Sequence, residues 1–149
     1  MNRAVATADL YELFLADETA WLEQMASLSS RGHSEMLDLE HLAEYLEDMA
    51  RRDKREVVHR LTTLLTHLLK WEHQPEKRAR SWELTIKEQR EELQDLLTSG
   101  TLRNHAEQEL ESAYRKAVRR AAVEMDVAES EFPAHCPFGL AQVLSDASS

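Results

Sequence analysis

Glycine and proline are so scarce in this chain that long helices are the regular structure best suited to it. The 149 residues include only three of each type. None of the six lies within residues 33–74, 76–99 or 101–132. Sheet proteins need frequent turns and many β-branched residues, whereas this chain has 22 Leu, seven Val and one Ile. The sequence therefore predicts an all-α fold.

Composition indicates a single folded domain over residues 1–149. The chain is 42% hydrophobic and 31% charged, which is too apolar for a disordered chain and enough for one sizeable core. No apolar run approaches the roughly 18 residues of a membrane span, and residues 1–9 lack the apolar stretch of a signal peptide. The single Cys136 agrees with a reducing compartment. We therefore expect a cytoplasmic protein with no membrane partner.

Apolar residues at three- and four-residue steps predict a helical bundle of about five main helices plus a short C-terminal helix. The first helix covers Leu10 to Leu28. Asp17 falls on its apolar stripe, either as a buried polar contact or, as we favour, at the edge of the stripe. The second begins after Asp38. A run of charge near Arg51–Asp53 is expected to kink or break it, because one helix of about 35 residues would be roughly 50 Å long. Asp53 would then cap the third helix.

The later helices are bounded by small and turn-forming residues. The fourth follows Ser81 and stops at Ser99–Gly100, and Asn104 is expected to cap the fifth. The apolar stripe of the fifth helix consists mostly of small residues, which predicts close packing against a neighbour. A short last helix is expected within residues 139–144.

The net charge of −10 is unevenly distributed along the chain. Residues 1–50 carry two basic and eleven acidic side chains, residues 51–90 carry eleven and six, and residues 91–149 carry five and eleven. So acidic a chain should repel nucleic acid unless its middle forms a separate basic face. Two interpretations stay open: the basic segment packs beside the acidic ends, or it binds phosphate.

Two residue pairs have the spacing of metal-ligating helix steps. Glu56 and His59 lie three residues apart, as the ligands of di-iron helix bundles do, and Asp38 with His41 forms a weaker second pair. We favour an ion-pairing helix face, because Arg60 adjoins the first pair and the apolar stripe runs elsewhere. We expect no metal site and no cofactor.

Catalytic chemistry has little support in the sequence. Cys136 lies beside His135 in a proline-rich segment without a recognisable base and orienting group, which favours a buried structural thiol. Three isolated glycines cannot build the usual phosphate loop. The sequence therefore favours a protein without enzymatic activity and indicates no catalytic residue.

The most distinctive block combines two tryptophans with several cations around Pro75. Arg and Trp together can bind an anion or stack on a base. Alternatively, Trp82 is buried, Trp71 packs across the Pro75 turn against the same core, the Arg residues pair with nearby acids, and His67 bonds to a neighbouring helix. The candidate ligand or interaction patch comprises His67, Lys70, Trp71, Arg78, Arg80, Trp82 and Arg90.

The same block carries a family resemblance. His-Leu-Leu-Lys-Trp at residues 67–71, Gln-Pro at 74–75 and Ser-Trp at 81–82 resemble a bacterial family described only as domain of unknown function 29. The resemblance covers about residues 11–146, although Tyr45 and Thr101 depart from the family pattern. It implies an all-helical domain with no assigned biochemical activity.

The function predicted from these patterns is a non-catalytic protein–protein interaction module with an unknown protein partner. Self-association is expected because two adjacent Leu pairs widen one apolar stripe beyond a single neighbour, unless this helix is central in its own chain. These are Leu64, Leu65, Leu68 and Leu69. The alternative is a nucleotide- or nucleic-acid-binding helical module that uses residues 51–90, although nucleic acid is the less favoured partner.

Overall fold

The structure is a computed structural model that describes residues 7–145. Over that range all regular elements are helical, so the all-α prediction is confirmed. The sequence argument on the first residues and on residues 146–149 lies outside the described range. The helices are α1 Thr7–Ala16, α2 Glu18–Ser30, α3 Leu39–His73, α4 Arg80–Leu96, α5 Gly100–Met125 and α6 Leu140–Leu144, with short 3₁₀ turns at Ser34–Met36, Pro75–Lys77 and Glu129–Glu131.

The chain forms two compact units, which we call unit 1 (Met1–Arg51) and unit 2 (Arg52–Ser149). The boundary falls inside α3. Each unit has a separate hydrophobic cluster. Whether the chain behaves as a single domain stays a prediction.

Unit 1 begins with two helices where the sequence pattern predicted one. Asp17 separates α1 from α2 in a non-helical conformation, and its carboxylate accepts a hydrogen bond from the Ala20 N–H at 3.1 Å. The prediction of one continuous helix was therefore wrong, because the Asp17 side chain caps a new helix start. Asp17 itself is exposed, which agrees with a position at the edge of the apolar stripe. The core of the unit contains Leu10, Trp21, Met25 and Leu28.

Helix α3 is continuous through the charged run, so the expected break at Arg51–Asp53 was wrong. Arg and Lys are good helix formers, and the segment has neither the glycine nor the proline that would stop a helix. Arg51 also pairs with Asp48 one turn earlier, and Asp53 lies inside the helix rather than capping it. The start at Asp38 is confirmed, since its carboxylate accepts the His41 N–H at 3.4 Å.

Unit 2 packs α4, α5 and α6 with the second part of α3. Ala113, Ala117 and Ala121 of α5 are fully buried, so the predicted small-residue stripe faces the core of unit 2; its close packing against one neighbouring helix stays a prediction. The start of α5 differs from the prediction: Gly100 is its first residue, and Ser99 caps it by accepting the Leu102 N–H. Asn104 therefore lies within the helix.

The C-terminal segment of unit 2 is fixed to α4 and α5 by polar contacts. The Arg90 Nε donates to the Val143 carbonyl at 2.9 Å, and the Gln94 amide donates to the Leu144 carbonyl at 2.8 Å. The Tyr114 hydroxyl donates to the Pro133 carbonyl at 2.6 Å. The first two contacts hold α6 against α4, and the third holds the loop between α5 and α6 against α5.

Within residues 7–145, no helix is both long enough and apolar enough to span a membrane.

Candidate interaction surfaces

The structure resolves the central patch into two cation–aromatic pairs at the junction of α3 and α4. The Arg78 guanidinium lies 4.6 Å from the centre of the Trp71 ring, and its Nε donates to the Trp71 carbonyl at 2.9 Å. The Lys70 Nζ lies 4.7 Å from the Trp82 ring and 3.0 Å from the Glu124 carboxylate. Both cations are therefore occupied by partners in their own unit.

One of the two tryptophans is less buried than the sequence predicted. Trp71 is half-buried and packs against the core of unit 2, as predicted. Trp82 is half-buried rather than buried. It lies in the first turn of α4, and the Lys70 ammonium group lies over its ring. Within residues 7–145, neither Arg78 nor Arg80 forms an ion pair, so for these two residues the expected pairing of the arginines with nearby acids was wrong.

The remaining members of the patch do not share one surface. The His67 Nδ1 lies 2.9 Å from the Thr63 carbonyl of its own helix, so the expected bond to a neighbouring helix was wrong. Arg80 is exposed at the first residue of α4. Arg90 is only 6% exposed and belongs to the interior of unit 2. The patch is therefore largely a helix junction held by its own side chains.

The leucines that suggested self-association are inside the protein. Leu64 and Leu65 are fully buried, and Leu68 and Leu69 are nearly so. This part of α3 is central in its own unit, which is the alternative explanation of the double stripe. The four residues therefore supply no surface for a second copy.

A buried polar group joins α2 to the start of α3 in unit 1. The Asp38 Oδ2 accepts the Trp21 indole N–H at 3.2 Å and lies 2.8 Å from the His41 Nδ1. The His41 ring also contacts Tyr11 and Phe14, with centroids 4.7 and 4.6 Å apart. Asp38 and His41 are thus hydrogen-bonded to each other instead of being presented as two ligands for a metal.

The other residues considered for chemistry have structural contacts. The Glu56 carboxylate accepts from Arg60 at 3.0 Å. The Cys136 thiol is half-buried and donates to the Phe138 carbonyl at 3.3 Å, and burial raises its pKa, which lowers its thiolate fraction at neutral pH. Among the described residues, no group of three or more His, Cys, Asp or Glu side chains has the geometry to hold a metal ion.

An exposed apolar strip runs along the unit 1 part of α3. Leu39 is 64% exposed and Leu46 is 59% exposed. They lie seven residues apart and so point within about 20° of each other. The exposed Ala43 and Ala50 lie on the same side of the helix. We call these four residues the α3 strip.

Acidic residues border the α3 strip on one side. Glu40, Glu44 and Glu47 are exposed, and their helical positions lie roughly 80–140° from Leu39. Leu42, toward the other side, is half-buried and packs in the core of unit 1. The strip is therefore apolar, open to solvent and edged by negative charge.

A basic face on α5 was missed at the sequence level. Arg115, Lys116, Arg119 and Arg120 are all exposed, and Val123 beside them is 83% exposed. Four of the five basic residues in residues 91–149 lie within this run, and that clustering is the signal that could have revealed the face. Residues 91–149 are acidic as a whole, so averaging the charge over that segment conceals the basic face.

Comparison with known proteins identifies a family. The model of a family described as domain of unknown function DUF29 matches residues 11–148. No curated protein and no solved structure gives a significant match.

Proposed function

The chain belongs to the DUF29 family of unknown function, and from this premise we propose that it is a non-catalytic protein–protein interaction module. Its unit 1 docks a helix of a different protein along the α3 strip. The observation that carries this proposal is the solvent exposure of Leu39 and Leu46 on one helix face. The expected partner helix has an apolar stripe and a basic edge.

Apolar contact supplies the driving force for such docking. Fully burying a leucine side chain stabilises a complex by about 1.5–3 kcal/mol, and two exposed leucines lie one heptad apart on α3. Ala43 and Ala50 have short side chains, which allow another helix to approach closely between the leucines. The strip thus has the alternation of large and small residues that interdigitating helices need.

Charge distinguishes a foreign partner from a second copy. Two copies joined strip to strip would bring Glu40, Glu44 and Glu47 near the same residues of the other chain, where like charges oppose association. A helix with Lys or Arg along its edge would instead meet opposite charge. Self-association of this chain is a separate prediction, and light scattering at high protein concentration tests it against the monomer mass of 17.2 kDa.

A synthetic helical peptide provides the test. The probe has about three heptads, with Leu at the core positions and Lys at the flanking ones, and its matched partner has Glu instead of Lys. We expect the Lys peptide to bind in fluorescence anisotropy, to bind more weakly as salt is raised, and to outcompete the Glu peptide. Replacement of Leu46 by Lys should weaken binding about tenfold or more.

The matched control is Leu84→Lys. Leu84 is also an exposed leucine, at 53%, but it lies on α4 in unit 2. The Leu84→Lys variant should bind the Lys peptide with the same affinity as wild type. Equal binding of the Lys peptide to wild type and Leu46→Lys would exclude the α3 strip, and equal affinity for the two peptides would exclude the basic partner.

The nucleotide- or nucleic-acid-binding alternative over residues 51–90 has less support. Several of its cations have partners in their own unit: Arg60 pairs with Glu56, Lys70 with Glu124, and Arg78 lies on Trp71. It stays a prediction, and retention on heparin at moderate salt would be the result that favours it.

A further inference from the structure

We propose a second binding site, in unit 2 and separate from the α3 strip: a groove beside α5 that takes an acidic, partly apolar segment of another protein. The groove has a volume of about 510 Å³ and lies between α5 and the residues that follow it. Arg115, Arg119 and Glu129 line it, and Val118, Phe132 and Pro133 supply apolar surface.

The two arginines are placed to bind carboxylates. They lie four residues apart on α5, which puts their side chains on the same side of the helix and about 5–6 Å apart at Cβ. Both are exposed, and no carboxylate within residues 7–145 forms an ion pair with either. This differs from Arg60 and Lys70, which have acidic partners. A guanidinium fork matches a carboxylate in two parallel hydrogen bonds.

The walls of the groove are fixed before any ligand arrives. The Tyr114 hydroxyl holds the Pro133 carbonyl at 2.6 Å, and the Glu111 carboxylate accepts the Cys136 N–H at 3.1 and 3.2 Å. Burial raises the Tyr114 pKa to about 12, with smaller electrostatic contributions from Cys136 and Glu111, so this hydroxyl remains a donor at neutral pH. A preformed site loses less conformational entropy on binding than a flexible loop does.

A second contact holds the far wall. The His73 ring lies 5.0 Å from the Phe132 ring, and its Nε2 lies 3.0 Å from the Glu131 carboxylate. Phe132 is only 6% exposed and lines the groove, so its side chain is held by its neighbours and forms an apolar floor. The site therefore combines a rigid apolar floor with two cations on one rim.

A negative charge in the groove selects among anionic partners. Glu129 adds a negative charge to the lining of the groove, which disfavours a densely charged strand such as nucleic acid. The net charge of −10 opposes any densely anionic partner at long range, so it favours a ligand with few carboxylates over a nucleic acid strand. A peptide with one or two carboxylates next to an apolar side chain satisfies the arginines and the floor while avoiding Glu129.

The test uses a short fluorescent peptide with two Asp residues placed between Leu residues, and an otherwise identical peptide in which Asn replaces both Asp residues. We expect the Asp peptide to bind wild type and the Asn peptide to bind much more weakly. Arg115→Gln and Arg119→Gln should each reduce affinity about tenfold, with unchanged melting curves because both side chains are exposed. Arg103→Gln, an exposed arginine elsewhere on α5, is the matched control and should have no effect.

Three outcomes would overturn this site. One is equal binding of the Asp peptide to wild type and the Arg115→Gln/Arg119→Gln double variant. Another is equal affinity for the Asp and Asn peptides. A third is a single-stranded oligonucleotide that displaces the peptide and binds more tightly, which would assign the groove to nucleic acid.

The two proposals fail separately. Leu46→Lys should leave the Asp peptide unaffected, and Arg119→Gln should leave the basic helical peptide of the previous section unaffected. Loss of both kinds of binding in a single variant would contradict the separation of the two sites.

Discussion

Arg90 is a charged side chain that unit 2 places in its interior. Ile86 and Leu93 are buried on the same side of α4, and a residue four positions after Ile86 falls on that side. The Arg90 Nε reaches the Val143 carbonyl at 2.9 Å, so the side chain links α4 to α6. A buried donor of this kind stabilises the fold through the bond and through its aliphatic stem.

Substitution of Arg90 measures that link. We expect Arg90→Ala to lower the free energy of unfolding by about 2–3 kcal/mol, because a buried bond to a charged group is lost along with packing. Arg80→Ala, at an exposed position, should change it by no more than about 0.5 kcal/mol. Chemical denaturation of both variants checks this. Equal, small effects would show that Arg90 does not hold α6.

For individual residues, the sequence predicted which face of a helix is buried better than it predicted which side chains contact each other. The spacing of Ile86 and Leu93 already places residue 90 on a buried face, yet an arginine there is ordinarily taken as exposed. His67 bonds within its own helix and Trp82 lies under Lys70. Those contacts depend on which side chains meet in three dimensions, and spacing along one helix does not contain that information.

At the scale of elements, the apolar spacing located the helices but not every boundary between them. The predicted count of five main helices and a short last one is confirmed, but two boundary errors offset each other: one predicted helix is α1 and α2, and two predicted helices are the single α3. The expected break in α3 was wrong, and the break at Asp17 was missed. Length alone is a weak argument against a helix, and a single capping aspartate inside an apolar stripe gives little warning.

A proline substitution within the charged run tests the continuity of α3. Lys54→Pro should cost about 3 kcal/mol or more, since it removes a helical hydrogen bond and clashes with the preceding turn. Lys54→Ala is the control and should be nearly neutral, because Lys54 is exposed and Ala is a good helix former. Circular dichroism and thermal melting provide the measurement. Tolerance of proline would instead restore the break that the sequence predicted.

At the scale of the whole molecule, two cores and two surfaces have to be explained together. The large cluster belongs to unit 2 and the small one to unit 1. The α3 strip lies within unit 1, whereas the α5 groove lies within unit 2. The sequence predicted one core because composition is summed over the chain, and a sum cannot show how buried residues are grouped. The basic face of α5 was hidden for the same reason.

Hydrogen exchange distinguishes two separately opening units from the single domain that composition predicts. Met25→Ala removes a buried side chain from the core of unit 1 and should cost about 2–5 kcal/mol. If the units open independently, exchange should accelerate in residues 7–51 and stay unchanged in residues 52–145. Leu15→Ala is the control: Leu15 is 68% exposed, so its truncation should alter neither region. Equal acceleration in both regions would mean that unit 1 opens only together with unit 2, and the two surfaces would then belong to one cooperative domain.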